Sequence, residues 1–240
     1  MEAQKEIVSV IIPTTKNQLH LAERCKKSIL DSDYKNTEVL IINEGKRRSE
    51  QRNLGISRAA GTFIIYLDSD QYVHPKLLSE CVVLMNDGYD ALYIPEVIVT
   101  PGRFGRLRNW ERSFYDGTDV DCIRFFKKKG CPKFSTDLDG PEDSAFDHEV
   151  AGYRTITKYP LYHEDGIGII DYFKKKIHYT KSMKKYSELW PDAKVLNFKY
   201  RCWDVFTSNG KWKKLLKHPI KAIGVFTLIF IRGVIYLWQK

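Results

Sequence analysis

The sequence predicts an α/β protein whose mostly parallel central sheet carries helices on both faces, followed by a basic, aromatic helical segment. Three observations lead there. Short runs of β-branched and aliphatic residues alternate with amphipathic stretches over the first hundred positions, the pattern of consecutive βαβ units. The strand candidates are apolar throughout instead of alternating in polarity, as strands covered on both sides must be. Charge also changes sign along the chain: residues 1–173 hold 23 Lys/Arg against 27 Asp/Glu, whereas residues 174–240 hold 16 against 3. The net charge of +9 therefore belongs to the tail, and 1–173 and 174–240 are read as two units.

Ile7 to Ile12 is the first strand, stopped by Pro13, and a helix with Leu19, Ala22 and Ile29 on its inner face runs to about Leu30. Glu38 to Asn43 is the second strand, Ser49 to Ala60 the second helix, and Thr62 to Leu67 the third strand. Pro75 opens another helix that Gly88 closes, and Ala91 to Val99 reads as one further strand. In a doubly wound sheet of this kind the ligand crevice lies at the carboxyl ends of the strands.

At 240 residues, 43% of them hydrophobic, with 15 Gly and 9 Pro, collagen-like, low-complexity and disordered classes are excluded. Five cysteines without a Cys-x-x-Cys pair, behind a polar start MEAQKE, suggest reduced thiols in a cytosolic compartment, no secretory signal and no zinc site.

The strand ends carry the chemistry. Thr14 follows the first strand, Asn43-Glu44 the second and Asp68-Ser69-Asp70 the third. Residues two apart in extended chain project to one side, so Asp68 and Asp70 can offer two carboxylates to one hard cation. Further on, Pro141 marks a helix start with Glu142 and Asp143 in its first turn, where the helix macrodipole favours negative charge.

Taken together, Ser9-Val10-Ile11-Ile12-Pro13-Thr14, Glu38 to Gly45, Gln51-Arg52-Asn53-Leu54-Gly55, Ala59 to Asp70, Pro141-Glu142-Asp143 and His163 resemble, in this order, the family 2 glycosyltransferases of the GT-A fold. The resemblance covers about the first 165 residues and implies a GT-A domain over 1–173. It implies that Asp68 and Asp70, with His163, hold a divalent metal (Mn or Mg) on the diphosphate of a UDP- or GDP-linked sugar. It implies that Thr14, Asn43, Glu44, Arg52 and Asp68 line the donor site, that Asp143 is the general base of an inverting transfer, and that Glu142 supports base or acceptor. One departure stands out: the family ends its second strand with two aspartates, where this chain has Asn43-Glu44. An amide donates as well as accepts, so the hydrogen-bond code for the nucleotide differs. The Gln-x-x-Arg-Trp motif of processive synthases is absent, Arg201-Cys202-Trp203 being a fragment of it, and transfer of one or a few sugars is expected.

The tail interleaves lysines with Tyr179, Tyr186, Trp190, Tyr200, Trp203 and Trp212, then runs into the apolar stretch 222–238, broken by Arg232. Basic and aromatic residues beside an apolar helix suit an anionic membrane surface. Seventeen helical residues span roughly 26 Å, short of the ~30 Å hydrocarbon core, which favours a helix lying in the interface over a full span. The expectation is a peripheral or monotopic enzyme on the cytoplasmic face of the membrane, acting on a hydroxyl of a lipid-linked glycan. Nucleic acid is not an expected partner. A polyprenyl-phosphate sugar synthase and a catalytically silent module binding membrane or polyanion are the alternatives, and for 222–238 an internal amphipathic helix packed on the domain or an oligomer interface.

Overall fold

The structure, a computed structural model, describes residues 6–238; the polar start read at Met1–Lys5 lies outside them. A six-stranded sheet in the order β2-β1-β3-β7-β5-β8 forms the centre. Its strands are β1 (Val8–Pro13), β2 (Thr37–Ile42), β3 (Phe63–Tyr66), β5 (Ala91–Tyr93), β7 (Ile123–Lys127) and β8 (Arg154–Ile156). β1 runs parallel to β2 and β3, and β5 parallel to β8, while β7 is antiparallel to both of its neighbours. The expected α/β architecture with a mostly parallel sheet is what the chain adopts.

Helices α1 (Leu19–Leu30) and α3 (Leu77–Asn86) cover one face of this sheet. Ala22, Cys25, Ile29, Leu77, Leu78, Cys81 and Met85 pack there on Val8, Val10, Ile12, Phe63 and Ile65. On the other face, α2 (Arg48–Arg58) and α5 (Glu142–Glu149) bury Ile11, Ile64, Tyr66, Phe126, Phe134 and Phe146. The alternation along β1 and β3 that sends Val10 one way and Ile11 the other is the period-2 geometry of a strand with two covered faces. Gly55 lets α2 lie this close: a Cβ there would stand 2.4 Å from Ile11 Cγ2.

The strand expected over Ala91–Val99 is two strands in two sheets. β5 stays in the central sheet, and β6 (Glu96–Ile98) joins a second sheet in the order β4-β9-β6 with β4 (Gln71–Val73) and β9 (Leu161–His163). Pro95 separates them; it has no N–H for a ladder, so the chain changes sheets at that point. The small sheet pairs His163 with Gln71 on one side and with Ile98 on the other, and so fastens the end of β9 beside the Asp68–Asp70 turn.

The tail is helical and packed. α6 (Ile169–Leu189) runs straight through the change of charge at 173/174. After a π-helical turn at Tyr200–Asp204 come the single turn α7 (Val205–Thr207), α8 (Trp212–Lys217) and α9 (Pro219–Trp238). α9 begins three residues earlier than the expected stretch, with Pro219 in the first turn, where its missing N–H costs nothing. Val205, Phe206 and Val225 close with Trp110 and Phe114 into a separate apolar cluster that seats the tail on α4 (Gly102–Arg112). All five cysteines are free thiols.

Candidate active site

At the carboxyl ends of the parallel strands, one side chain organises the rest. Arg52, on the inward face of α2, is fully buried. Its Nη2 donates to Asp68 Oδ1 at 3.0 Å and its Nη1 makes a short bond to Asp143, with Glu142 3.6 Å away. The guanidinium lies 4.6 Å from the Tyr66 ring centroid and 5.1 Å from that of Phe134, two rings that meet edge to face, so it rests against aromatic surface while its nitrogens are divided among carboxylates. One turn earlier on the same helix face, Arg48 pairs with Glu142 at 3.3 Å and approaches Asp68 at 4.0 Å. Two arginines at i and i+4 thus tie the end of β3 to the start of α5.

These contacts determine which acids are available. Burial opposes charge on Asp68, yet Arg52 and Arg48 hold its carboxyl well below the usual range. Glu142, its side chain only 2% exposed, is pushed upward by burial and by Asp143 next to it, against the pull of the two arginines. Asp143 is the more open of the pair, 22% exposed, and is the one that can meet a substrate. Gly140 positions this turn: its φ of +111° belongs to glycine, and a Cβ there would stand 2.5 Å from Tyr179 Cγ. The Gly140 N–H donates to Glu142 Oε2 at 2.5 Å.

Asp70 faces the opposite way, toward the small sheet. Its Oδ2 lies 3.3 Å from His163 Nε2, and His163 Nδ1 is 2.5 Å from Glu96 Oε1. Although burial disfavours a charged imidazole, these two carboxylates push His163 up to about 10. Among the described residues no three His, Cys, Asp or Glu groups converge on one metal position, because Asp68 is turned to the arginines and Asp70 to His163. The donor set of two carboxylates and an imidazole nevertheless fits Mn²⁺ or Mg²⁺ in kind. The buried Arg52 Nε, Arg124 Nη1 and Gln71 Nε2 have no hydrogen-bond partner, so donors stand ready there for an anionic group.

The remaining expected residues are placed as follows. Thr14 is buried at the end of β1, its carbonyl accepting from Gln51 Nε2 at 2.8 Å. Asn43 is exposed at the end of β2. Glu44 is exposed and held by Arg58 through two bonds of 2.7 and 2.8 Å. Asn53 does not reach the crevice; it exchanges two 2.8 Å bonds with the backbone of Phe134, clamping the loop before α5 onto α2.

Sequence reasoning missed Arg48, Glu96, Arg124 and Tyr179. The helical spacing to Arg52 was a usable signal for Arg48. Nothing local marked Arg124, which reaches from the unforeseen strand β7 to within 4.9 Å of the Tyr66 ring centroid, nor Tyr179, whose hydroxyl accepts from Arg48 at 3.0 Å.

Comparison with known proteins bears on the family and the fold. Residues 43–132 match the model of the family described as glycosyl transferase family 2. The fold is similar to that of the mannosyltransferase PcManGT from Pyrobaculum calidifontis, solved with GDP-Man and Mn²⁺: TM-score 0.62, 18% identity, covering 99% of this chain and 89% of that one. It is also similar to S. aureus TarS, with TM-score 0.50 and 16% identity over 72% of this chain and 39% of that one. A TarS fragment, residues 1–349, solved with UDP-GlcNAc gives TM-score 0.50 and 17% identity over 73% and 66%. The chain thus spans about two fifths of the TarS chain it resembles. No curated protein sequence matches it.

Proposed function

We infer that this chain, a family 2 glycosyltransferase of the GT-A fold, moves a sugar from a nucleotide-sugar donor to a hydroxyl of a lipid-linked or membrane-proximal glycan, with inversion at the anomeric carbon. The observation that carries the reading is the single buried guanidinium of Arg52 shared by Asp68 and Asp143. It joins the strand-end acid expected on the donor's diphosphate to the acid expected on the acceptor, so the two halves of a displacement share one rigid support.

In this reading the donor lies along the strand ends, near Thr14, Asn43 and Glu44, with its diphosphate toward Asp68 and the unpaired donors of Arg52 and Arg124. Asp70 and His163 would join Asp68 in holding a divalent cation, which when bound offsets the charge left on the departing nucleoside diphosphate. Asp143 accepts the proton of the attacking hydroxyl, and Arg52 keeps that carboxylate aimed while Glu142, buried beneath, fixes the first turn of α5. Attack from the face opposite the leaving group inverts the configuration. A base at this position distinguishes the reaction from transfer to a polyprenyl phosphate, whose oxygen is already ionised.

Membrane attachment is assigned to α9. It is 20 residues long with mean hydropathy 1.9, and only 11% of its apolar window is buried inside the fold. Val225 and Leu228 face the protein, while Ile220, Phe230, Leu237 and Trp238 are 70–90% exposed. Lys211, Lys213, Lys214 and Lys217 precede it, and Lys221 lies in its first turn. One face seated on α4 and one bare face favour a helix lying in the interface of an anionic leaflet over a span.

A screen of UDP- and GDP-sugars with Mn²⁺, Mg²⁺ or chelator tests the reaction. Donor turnover that depends on the metal and is lost in Asp68→Ala and Asp70→Ala is the expected result. Metal-independent binding of the nucleoside diphosphate, unchanged in both variants, would overturn the metal assignment.

A further inference from the structure

The tail's positive charge is not all spread on a solvated face. Tyr172 of α6 is 2% exposed, and three cations from three helices converge on it. Arg232 of α9 donates to its hydroxyl at 2.9 Å. The Arg108 guanidinium of α4 stands 4.7 Å from its ring centroid, and the Lys176 ammonium, one turn along α6, stands 5.5 Å from the same centroid. Arg201, exposed in the π-helical turn, acts electrostatically on Lys176 as well.

Two carboxylates answer this group. Glu111 takes Arg232 at 2.5 Å and Asp165 takes Arg108. Lys176 and Arg201 enter no ion pair among the described residues. Burial, and then Arg232, Arg201 and Arg108, push the Lys176 ammonium down to about 7, against the pull of Glu111. Cations crowded without enough counter-charge repel one another, and a polyanionic ligand relieves that repulsion. The mixture of planar forks and one point charge suits the several oxygens of a phosphate group.

We propose that Arg108, Lys176 and Arg232, gathered on Tyr172 where α4, α6 and α9 meet, together with Arg201 of the nearby π-helical turn, form a binding pocket for a phosphate or diphosphate group carried by the acceptor. Its position connects it to the crevice: the Lys176 ammonium also lies 5.8 Å from the Tyr179 ring, and Tyr179 accepts from Arg48, which pairs with Glu142. A phosphate held at Lys176 sits about one helical turn from the side chain that reaches the carboxylates. It also sits beside the apolar helix that supplies Arg232, as a headgroup does beside its hydrocarbon. The use of the anchored group in sugar transfer rests on the function proposed above; the existence of the pocket does not.

Flotation of the full chain with phosphatidylcholine vesicles tests this, comparing vesicles that carry about 10 mol% phosphatidic acid with others brought to equal surface charge by phosphatidylserine. Calorimetry with inorganic pyrophosphate, and separately with UDP or GDP plus Mn²⁺, runs in parallel. The expected result is a preference of roughly ten-fold for the phosphomonoester lipid, largely lost in Lys176→Met and in Arg201→Gln. Pyrophosphate binding that both variants lose, without any lipid preference, would keep the pocket and assign it to a soluble phosphate. Equal flotation on both vesicle types with no pyrophosphate binding, or variants that keep the wild-type preference, would overturn the proposal. Loss of nucleotide binding in the wild type would sink the glycosyl-transfer reading and leave the pocket standing.

Discussion

The crevice at the strand ends and the helical tail both bury arginines, and they treat them in opposite ways. In the crevice, Arg52 and Arg48 are divided among Asp68, Glu142 and Asp143 while Arg124 also acts on Asp68, so each acid is held by a matching cation. In the tail, Arg108, Lys176, Arg201 and Arg232 outnumber Glu111 and Asp165. Balanced charge makes a rigid frame that orients reacting groups; unbalanced charge makes a site that waits for an anion. The same side-chain types thus give preorganisation in one place and affinity in the other.

The largest effect should come from the acid that the frame aims. Asp143→Asn keeps the shape and a hydrogen-bond acceptor for Arg52 but cannot take a proton, so transfer should fall roughly 10²- to 10⁴-fold while donor binding persists. Turnover and calorimetry on the same preparations check this; wild-type turnover would move the base elsewhere or make the acceptor an anion.

Removing the frame itself should cost stability. Arg52→Met fills similar volume but leaves Asp68, Glu142 and Asp143 facing one another in a buried site, and loss of one partner from such a network costs about 3–5 kcal/mol. Urea unfolding should show the lowered midpoint, with Arg52→Lys intermediate because an ammonium cannot bridge two carboxylates with a planar fork. An unchanged midpoint in Arg52→Met would mean that the acids do not depend on the guanidinium.

How far the sequence reveals these two regions differs for a physical reason. β1, β2 and β3 are continuous apolar runs, and the acids at their ends follow from strand geometry, so Asp68, Asp70 and their crevice can be read locally. The partnership of Arg52 with Asp143 cannot, because it spans 91 positions and depends on β7 and the loop clamped by Asn53. β7 itself, Ile-Arg-Phe-Phe-Lys, mixes charge into a short antiparallel strand and carries no βαβ signal. In the tail, composition shows the excess of lysine and the apolar stretch but not that Arg232, which looks like an interruption, turns inward to Tyr172 and Glu111.

The outward face of α9 provides a weaker test of the same contrast. Ile223→Glu, Phe230→Glu and Leu237→Glu alter side chains 69–72% exposed, so the packing of α9 on α4 survives. Each placed in a headgroup region forfeits part of the ~1.5–3 kcal/mol of a buried apolar side chain, and the triple variant should float on anionic vesicles at least about ten-fold less well. Unaltered flotation with intact melting would put the membrane contact on another surface.

A pH dependence confined to the crevice is the remaining expected effect. His163 in the folded chain is raised to about 10 by Asp70 and Glu96, working against burial, whereas an unfolded imidazole titrates near 6.5. A group whose folded pKa lies above its unfolded one binds protons more tightly in the native state. Its contribution to stability is therefore complete below about pH 6.5 and disappears as pH rises through about 10. Metal-free protein should lose melting temperature between neutral pH and pH 10 by a margin that His163→Gln removes, since glutamine keeps a donor for Glu96 but does not titrate. Added Mn²⁺ should flatten the wild-type profile as well, because a cation between Asp70 and a neutral imidazole does the work of the proton. Profiles of wild type and variant that run parallel from pH 6 to pH 10, with and without Mn²⁺, would show that His163 carries no charge in the native protein and would separate it from Asp70 as a ligand.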